Sequence, residues 1–215
     1  MNASSLKEQL QREGATLVGI GDITEALSKE IAHLNRGIAL AVNRGLNRDS
    51  VALLKRLQQL AETWLKRHGF RSLSIPPDSD RIHDKCVAKL YHLVSHKTTA
   101  TCAGLGWIGK NGLLINKRYG SKLSWATVLT NAPLVPDSPT NESQCGECDL
   151  CVRLCPSGAF TGKQWSRGEP LKKIVHYERC RTLKKERRLF EEKPNCGLCV
   201  TICPFSRTGL AKHVK

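Results

Sequence analysis

The stretch Cys145-Gly146-Glu147-Cys148-Asp149-Leu150-Cys151-Val152-Arg153-Leu154-Cys155-Pro156 decides how this chain is read. Its spacing, C-x2-C-x2-C-x3-C-P, is the run that holds 4Fe–4S clusters in bacterial ferredoxins. Two-residue gaps let a tight loop aim three thiolates at three corners of one cube. The three-residue gap carries Cys155 away from that cube and onto the expected start of a helix. Pro156 suits the first position of such a helix, where no N–H partner is needed.

Working outward, Cys196-Gly197-Leu198-Cys199-Val200-Thr201-Ile202-Cys203-Pro204 repeats the end of the same pattern but lacks one cysteine upstream. Cys180 is the only cysteine between the two runs and can supply it. In two-cluster ferredoxins the cysteine before each proline ligates the other cluster. The expected ligands are therefore Cys145, Cys148, Cys151 and Cys203 for one cluster, and Cys155, Cys180, Cys196 and Cys199 for the second. Zinc is the competing reading, but four-cysteine zinc sites use paired Cys-x-x-Cys units without this Cys-Pro ending. Two adjacent clusters imply a path for single electrons. Cys86 and Cys102 stand outside the pattern, on expected helices, and read as buried free thiols.

The remaining composition is that of a soluble globular protein, with 40% hydrophobic and 25% charged residues in 215. No stretch approaches the roughly 20 apolar residues of a membrane span. Residues 1–10 lack the basic-then-apolar pattern of a signal peptide, so the cytoplasm is the default location. Ten cysteines there point to metal rather than disulfides. The formal charge is +15 with every cysteine neutral. Two oxidised clusters with four thiolates each would lower it by about 4. The cations crowd around Lys172, Lys173, Arg179, Arg181, Lys184, Lys185, Arg187 and Arg188. Such a face either offsets the anionic clusters or meets a polyanion.

Ahead of the cysteines the pattern alternates. Leu6–Arg12 reads as a short helix, and Thr16–Ile20 and Gly37–Val42 as strands. Asp49 or Ser50 can cap a helix whose Val51, Leu54, Leu57, Leu60, Ala61 and Leu65 share one face, ending at Gly69. A strand at Arg71–Ile75 stops at Pro76-Pro77. A helix is expected over 84–103, then strands at 113–115 and 123–129 with a turn at Tyr119-Gly120. The fold class is α+β, a mixed α/β module over 1–138 followed by a ferredoxin-like domain over 139–215. The boundary is a proline-rich linker, Pro133 to Thr140. The second part has few large apolar residues and is expected to need bound metal for its order.

One further stretch is distinctive: His96-Lys97, then Ala103-Gly104-Leu105-Gly106-Trp107-Ile108-Gly109-Lys110-Asn111. Its glycines permit a tight turn or close approach to a flat ligand. As a G-x-G-x-x-G run it follows a helix rather than a strand, which weakens a dinucleotide reading. Together with Gly120-Ser121, Trp125–Thr130 and the two cluster motifs, it resembles the epoxyqueuosine reductase family and its shorter relatives. That resemblance implies a nitroreductase-like, corrinoid-binding module joined to a two-cluster domain. In the family, electrons pass through the clusters to a cobalamin cobalt, and the reduced corrinoid removes the epoxide oxygen of a modified tRNA base. The family is also related to reductive dehalogenases. By resemblance, His96, Lys97, Gly104, Gly106, Trp107, Gly109, Lys110 and Asn111 would lie along the cobalamin. A reduced ferredoxin or flavodoxin would be the electron donor, and tRNA a partner.

The chain departs from the family in three places. The family's catalytic acid directly follows the strand that here ends Ile75-Pro76-Pro77, so Asp78 and Asp80 are the nearest candidates. Epoxide opening needs a proton donor within hydrogen-bond reach of the leaving oxygen. The stretch between Val42 and Asp49 is short, and the helical-repeat extension of larger members is absent. Three functions follow: a reductase, an electron carrier serving a partner enzyme, or a tRNA-binding relative that has lost catalysis.

Overall fold

The computed structural model describes residues 3–44, 49–77, 93–187 and 196–208. Asp78, Asp80 and Cys86 lie outside the described residues. The chain forms two compact units, 1–105 with 123–140, and 106–122 with 141–215.

The first unit is built on a four-stranded antiparallel sheet in the order β1 (Leu17–Asp22), β2 (Arg36–Asn43), β6 (Leu123–Thr130), β3 (Ser72–Ile75). Helices α1 (Ala3–Arg12) and α2 (Ser50–Arg67) cover one face. The helical spacing of α2 places Leu54, Leu57, Ala61 and Leu65 in the core with no accessible surface. Each fully buried leucine contributes roughly 1.5–3 kcal/mol. Asp49 caps the helix by accepting from the Ala52 N–H at 2.9 Å, worth about 1 kcal/mol. Gln58, the polar residue on the buried side, donates to the Ile75 and Thr127 carbonyls at 2.8 and 2.9 Å. It thereby spans the β3–β6 pair without an unpaired amide hydrogen.

The other face takes α3 (His96–Cys102). Close approach there depends on strand glycines: a Cβ on Gly21 would stand 2.7 Å from Cys102 Cβ, and one on Gly37 2.6 Å from Thr99 Cγ2. Cys102 is buried, as expected. Of the helix expected over 84–103, residues 84–92 lie outside the described residues, and 93–103 is not one continuous helix. Ser95 is extended, and its hydroxyl accepts from the Thr98 N–H, so it starts a new helix at His96. The stretch read as a linker is docked on this unit. Asp137 accepts from Lys7 Nζ at 2.6 and 2.8 Å and from the Ile20 N–H at 2.8 Å, and Thr140 N–H donates to the Thr101 carbonyl.

The second unit begins earlier than the linker. Its first piece is the hairpin β4 (Trp107–Ile108) and β5 (Leu114–Ile115). Residues 106–122, placed by sequence in the α/β module, thus belong with the cysteine-rich part. Short helices α4 (Leu150–Arg153), α5 (Tyr177–Arg187), α6 (Leu198–Thr201) and α7 (Pro204–Thr208) follow, joined by long loops. A few large side chains, Trp107, Ile108, Ile115, Trp165, Ile174 and Val175, are buried here.

Candidate iron–sulfur centre

The first cysteine run folds as a loop closed by the Cys148 N–H donating to the Cys145 carbonyl at 3.1 Å, and then turns into α4. Cys145, Cys148 and Cys151 line a cavity with about 350 Å³ of atom-free space, part of it open to solvent. The second run brings Cys203 to the same cavity, along with Pro204 and Phe205. Residues some fifty positions apart in sequence therefore meet. The Cys151 thiol is pushed up to about 12, first by burial and then by the sulfurs of Cys145, Cys203, Cys148 and Cys199. Thiolates crowded in this way repel one another unless cations stand among them.

A second group lies around Cys199. Burial pushes its thiol up to about 11, and Cys196, Cys180 and Cys155 add to the shift. Cys155 goes the other way. Burial raises it, but hydrogen bonds from the Ser157 hydroxyl and from the N–H groups of Ala159, Ser157 and Gly158 outweigh that and lower it. The Ser157 Oγ and Ala159 N each stand 3.4 Å from its sulfur.

Cys155-Pro156 was expected to begin a helix. It enters a turn instead, closed by the Gly158 N–H donating to the Cys155 carbonyl, with Gly158 at φ 55°. The turn aims N–H groups back at the sulfur, as the first turn of a helix does at its N-cap. Cys203-Pro204 does begin a helix, α7. Sequence reading missed Ser157 and Ala159. The signal was present as a Ser-Gly pair, a frequent turn former, directly after Cys-Pro.

Among the described residues, no three His, Cys, Asp or Glu side chains are gathered to hold a single metal ion. A cubane asks for something different. Each thiolate meets its own iron corner, so the sulfurs stand farther apart than around one ion. Eight cysteines in two neighbouring groups, one lining a mostly apolar cavity, fit two such cubes.

The segment expected to lie along cobalamin is largely committed to internal contacts. His96 is 5% exposed. Its Nε2 meets the Pro76 carbonyl and its Nδ1 the Thr127 hydroxyl, both at 2.9 Å. A carbonyl only accepts, so Nε2 carries the proton, and in the neutral ring Nδ1 accepts from Thr127. Lys97 is half-buried. A Cβ on Gly104 would lie 2.3 Å from the Ser138 carbonyl oxygen, and one on Gly106 2.2 Å from that of Ile115. Both glycines thus answer to the protein's own backbone.

The Gly109-Lys110-Asn111 loop faces the cysteines. A Cβ on Gly109 would stand 3.5 Å from Cys145 Sγ. Lys110, 7% exposed, lines the cavity and donates to the Gly146 carbonyl at 2.8 Å. Asn111 donates to the Cys199 carbonyl at 3.0 Å and accepts from the Leu113 N–H at 3.1 Å. Trp107 packs edge-on against Phe205, centroids 4.9 Å apart, and among the described residues its buried Nε1 has no hydrogen-bond partner.

The second unit is thus of the two-cluster ferredoxin class, preceded by an α/β unit. Residues 144–206 match the family described as 4Fe-4S double cluster binding domain. The chain is similar to curated epoxyqueuosine reductases. It is 31% identical to that of Pseudomonas aeruginosa over 170 residues, covering 75% of this chain and 42% of the relative. It spans less than half the length of the curated relatives it matches.

Its fold is shared with solved members of two groups. An epoxyqueuosine reductase with a tRNA-Tyr epoxyqueuosine-modified tRNA stem loop superposes with a TM-score of 0.70 at 20% identity, covering 95% of this chain and 65% of that one. A reductive dehalogenase, whose structure suggests a mechanism for B12-dependent dehalogenation, gives 0.69 at 18% identity, covering 99% and 34%. No helix among the described residues is long and apolar enough to cross a membrane.

Proposed function

We propose that this chain is an iron–sulfur reductase of the epoxyqueuosine reductase type, which takes electrons in through its second unit and delivers them to an acceptor. The ligands in this reading are Cys145, Cys148, Cys151 and Cys203 for the first cluster, and Cys155, Cys180, Cys196 and Cys199 for the second. The observation that carries it is the meeting of Cys203 with Cys145, Cys148 and Cys151 around one cavity. When bound, the clusters supply one-electron transfer at low potential. The chain's own residues hold and shield them. Lys110 places a cation beside the first cavity, Asn111 ties the 109–112 loop to the Cys199 backbone, and the Cys155 turn directs N–H groups at a ligand sulfur.

The acceptor chemistry favoured by the relatives is a corrinoid, and the substrate a modified tRNA base. A shared fold with a B12-dependent dehalogenase and with a tRNA-bound reductase supports this, as does the charge of +15. The test is the visible spectrum of anaerobically purified protein after adding cobalamin. A base-off corrinoid band is expected, and absence of uptake would remove the corrinoid.

A second reading, an electron carrier for a partner enzyme, draws on two observations. Pro76-Pro77 occupies the place of the family's acid, and segment 96–111 is spent largely on internal contacts. Clusters that reduce and reoxidise in protein binding neither cobalamin nor tRNA would favour this reading.

A further inference from the structure

Helix α5 places Cys180 in the middle of an exposed cationic surface. Five cations, Arg179, Arg181, Lys184, Lys185 and Arg187, stand against two carboxylates, Glu178 and Glu186, and no side chain of the helix is fully buried. A helix of this composition is not held by an apolar stripe. It is held in part by Arg179, whose Nη1 donates to the Gly158 carbonyl at 2.9 Å, in the turn that follows Cys155. Arg179 thus ties the helix that carries Cys180 to the turn that follows Cys155. Six of the eight cysteines are half-buried, three in each group; the groups differ in their last member, Cys196 being exposed and Cys203 buried.

From this geometry we infer that α5 is the docking face for a small acidic one-electron carrier of flavodoxin or ferredoxin type, and that electrons enter at the second cluster. The inference rests on the two-cluster reading above. Charge complementarity steers the carrier, and cationic Arg181, Lys184 and Lys185 are exposed where its acidic rim would land. In each encounter one electron leaves the carrier's reduced cofactor, which is oxidised by one unit, and the second cluster is reduced by one. No bond forms or breaks. A nucleic-acid phosphate backbone is the rival occupant. The cysteine on the helix itself favours the carrier, because electron transfer needs the partner close to the cluster and tRNA binding does not.

The experiment uses reconstituted full-length protein and flavodoxin hydroquinone in anaerobic stopped flow, with Lys184→Glu and Lys185→Glu combined. At low ionic strength the second-order rate of cluster reduction should fall by roughly tenfold or more, and its salt dependence should flatten. The milder Lys184→Gln and Lys185→Gln pair should fall between. Reduction by photoexcited deazaflavin reports the clusters without docking, and its ratio to the flavodoxin rate is the readout. An unchanged ratio would overturn the docking face. An unchanged ratio together with weakened tRNA stem-loop binding would overturn it too, and give the helix to nucleic acid. Protein without iron and sulfide would instead remove the two-cluster reading and this inference with it, an outcome the iron assay separates from the others.

Discussion

Cys203 sits 8% exposed beside a buried lysine, whereas Cys196 lies open to solvent. The two thiol groups come from the same repeated motif, yet the chain surrounds them differently. Around the first, Ile115, Leu150, Pro204 and Phe205 supply apolar walls, and Lys110 supplies one inward cation. Around the second, shielding comes from a cationic surface helix and from hydrogen bonds aimed at Cys155. Cluster potentials follow charge, hydrogen bonding to sulfur and burial. The comparison teaches that this chain gives the two cysteine groups different surroundings, a buried lysine beside one, and hydrogen bonds to sulfur with an exposed cationic helix beside the other.

The sharpest way to break that comparison is Cys203→Ser. The residue lies in the second motif but is assigned to the first centre. Iron should drop from about eight atoms per chain to about four, with the surviving EPR signal that of the more exposed centre. Wild-type iron content would dissolve the crossed assignment.

A next test uses metal-free protein. Cys155 is lowered, while Cys199 and Cys151 are raised to about 11 and about 12. The thiolate is the nucleophile, so a lowered group is alkylated first as pH rises. Mass spectrometry after iodoacetamide treatment near pH 8 should find Cys155 labelled well before Cys199 and Cys151. Equal labelling, in metal-free protein whose circular dichroism matches that of the reconstituted protein, would mean that the Ser157 turn does not act on the sulfur.

Lys110→Met removes the cation beside the first cavity. One charge at about 4–8 Å is worth about 2–4 kcal/mol at an effective dielectric near 20, on the order of 90–180 mV for one electron. Potentiometric EPR should show the first centre lowered by that amount and the second nearly unmoved, with Lys110→Arg restoring most of the loss. Ser157→Ala should give the smallest change, a modest lowering of the second centre alone. A shift in both centres would show that the two environments are not separable.

Much of this was legible in the sequence, for reasons that differ by region. The α2 helix could be read because its apolar positions repeat at helical spacing and Asp49 is a strong cap. The cysteine groups could be read because ligand spacing is set by the cube. Three features were not legible. The break at Ser95 depends on a single hydroxyl turning back to the Thr98 N–H, which competes with helix continuation only once the sheet fixes α3. The Cys155 turn uses the same Cys-Pro pair that opens α7, so the pair alone cannot distinguish the outcomes. His96, Lys110 and Asn111 were expected along the cobalamin by resemblance alone, and their internal contacts were not foreseen. Their partners, Thr127, Gly146 and Cys199, lie 31, 36 and 88 residues away and carry no local signal.

The hairpin at 106–122 makes the cysteine-rich unit discontinuous in sequence. During synthesis this piece leaves the ribosome before β6, the strand that joins β2 to β3, and long before the cysteines it will meet. The contacts of this piece with the cysteine-rich residues can therefore form only after the whole α/β unit has been made. A gene cut at the linker would strand Lys110, Asn111 and the Ser121–Ser206 contact on the wrong fragment. The cysteine-rich unit cut at the linker would therefore lack the hairpin that Lys110, Asn111 and Ser121 tie to it.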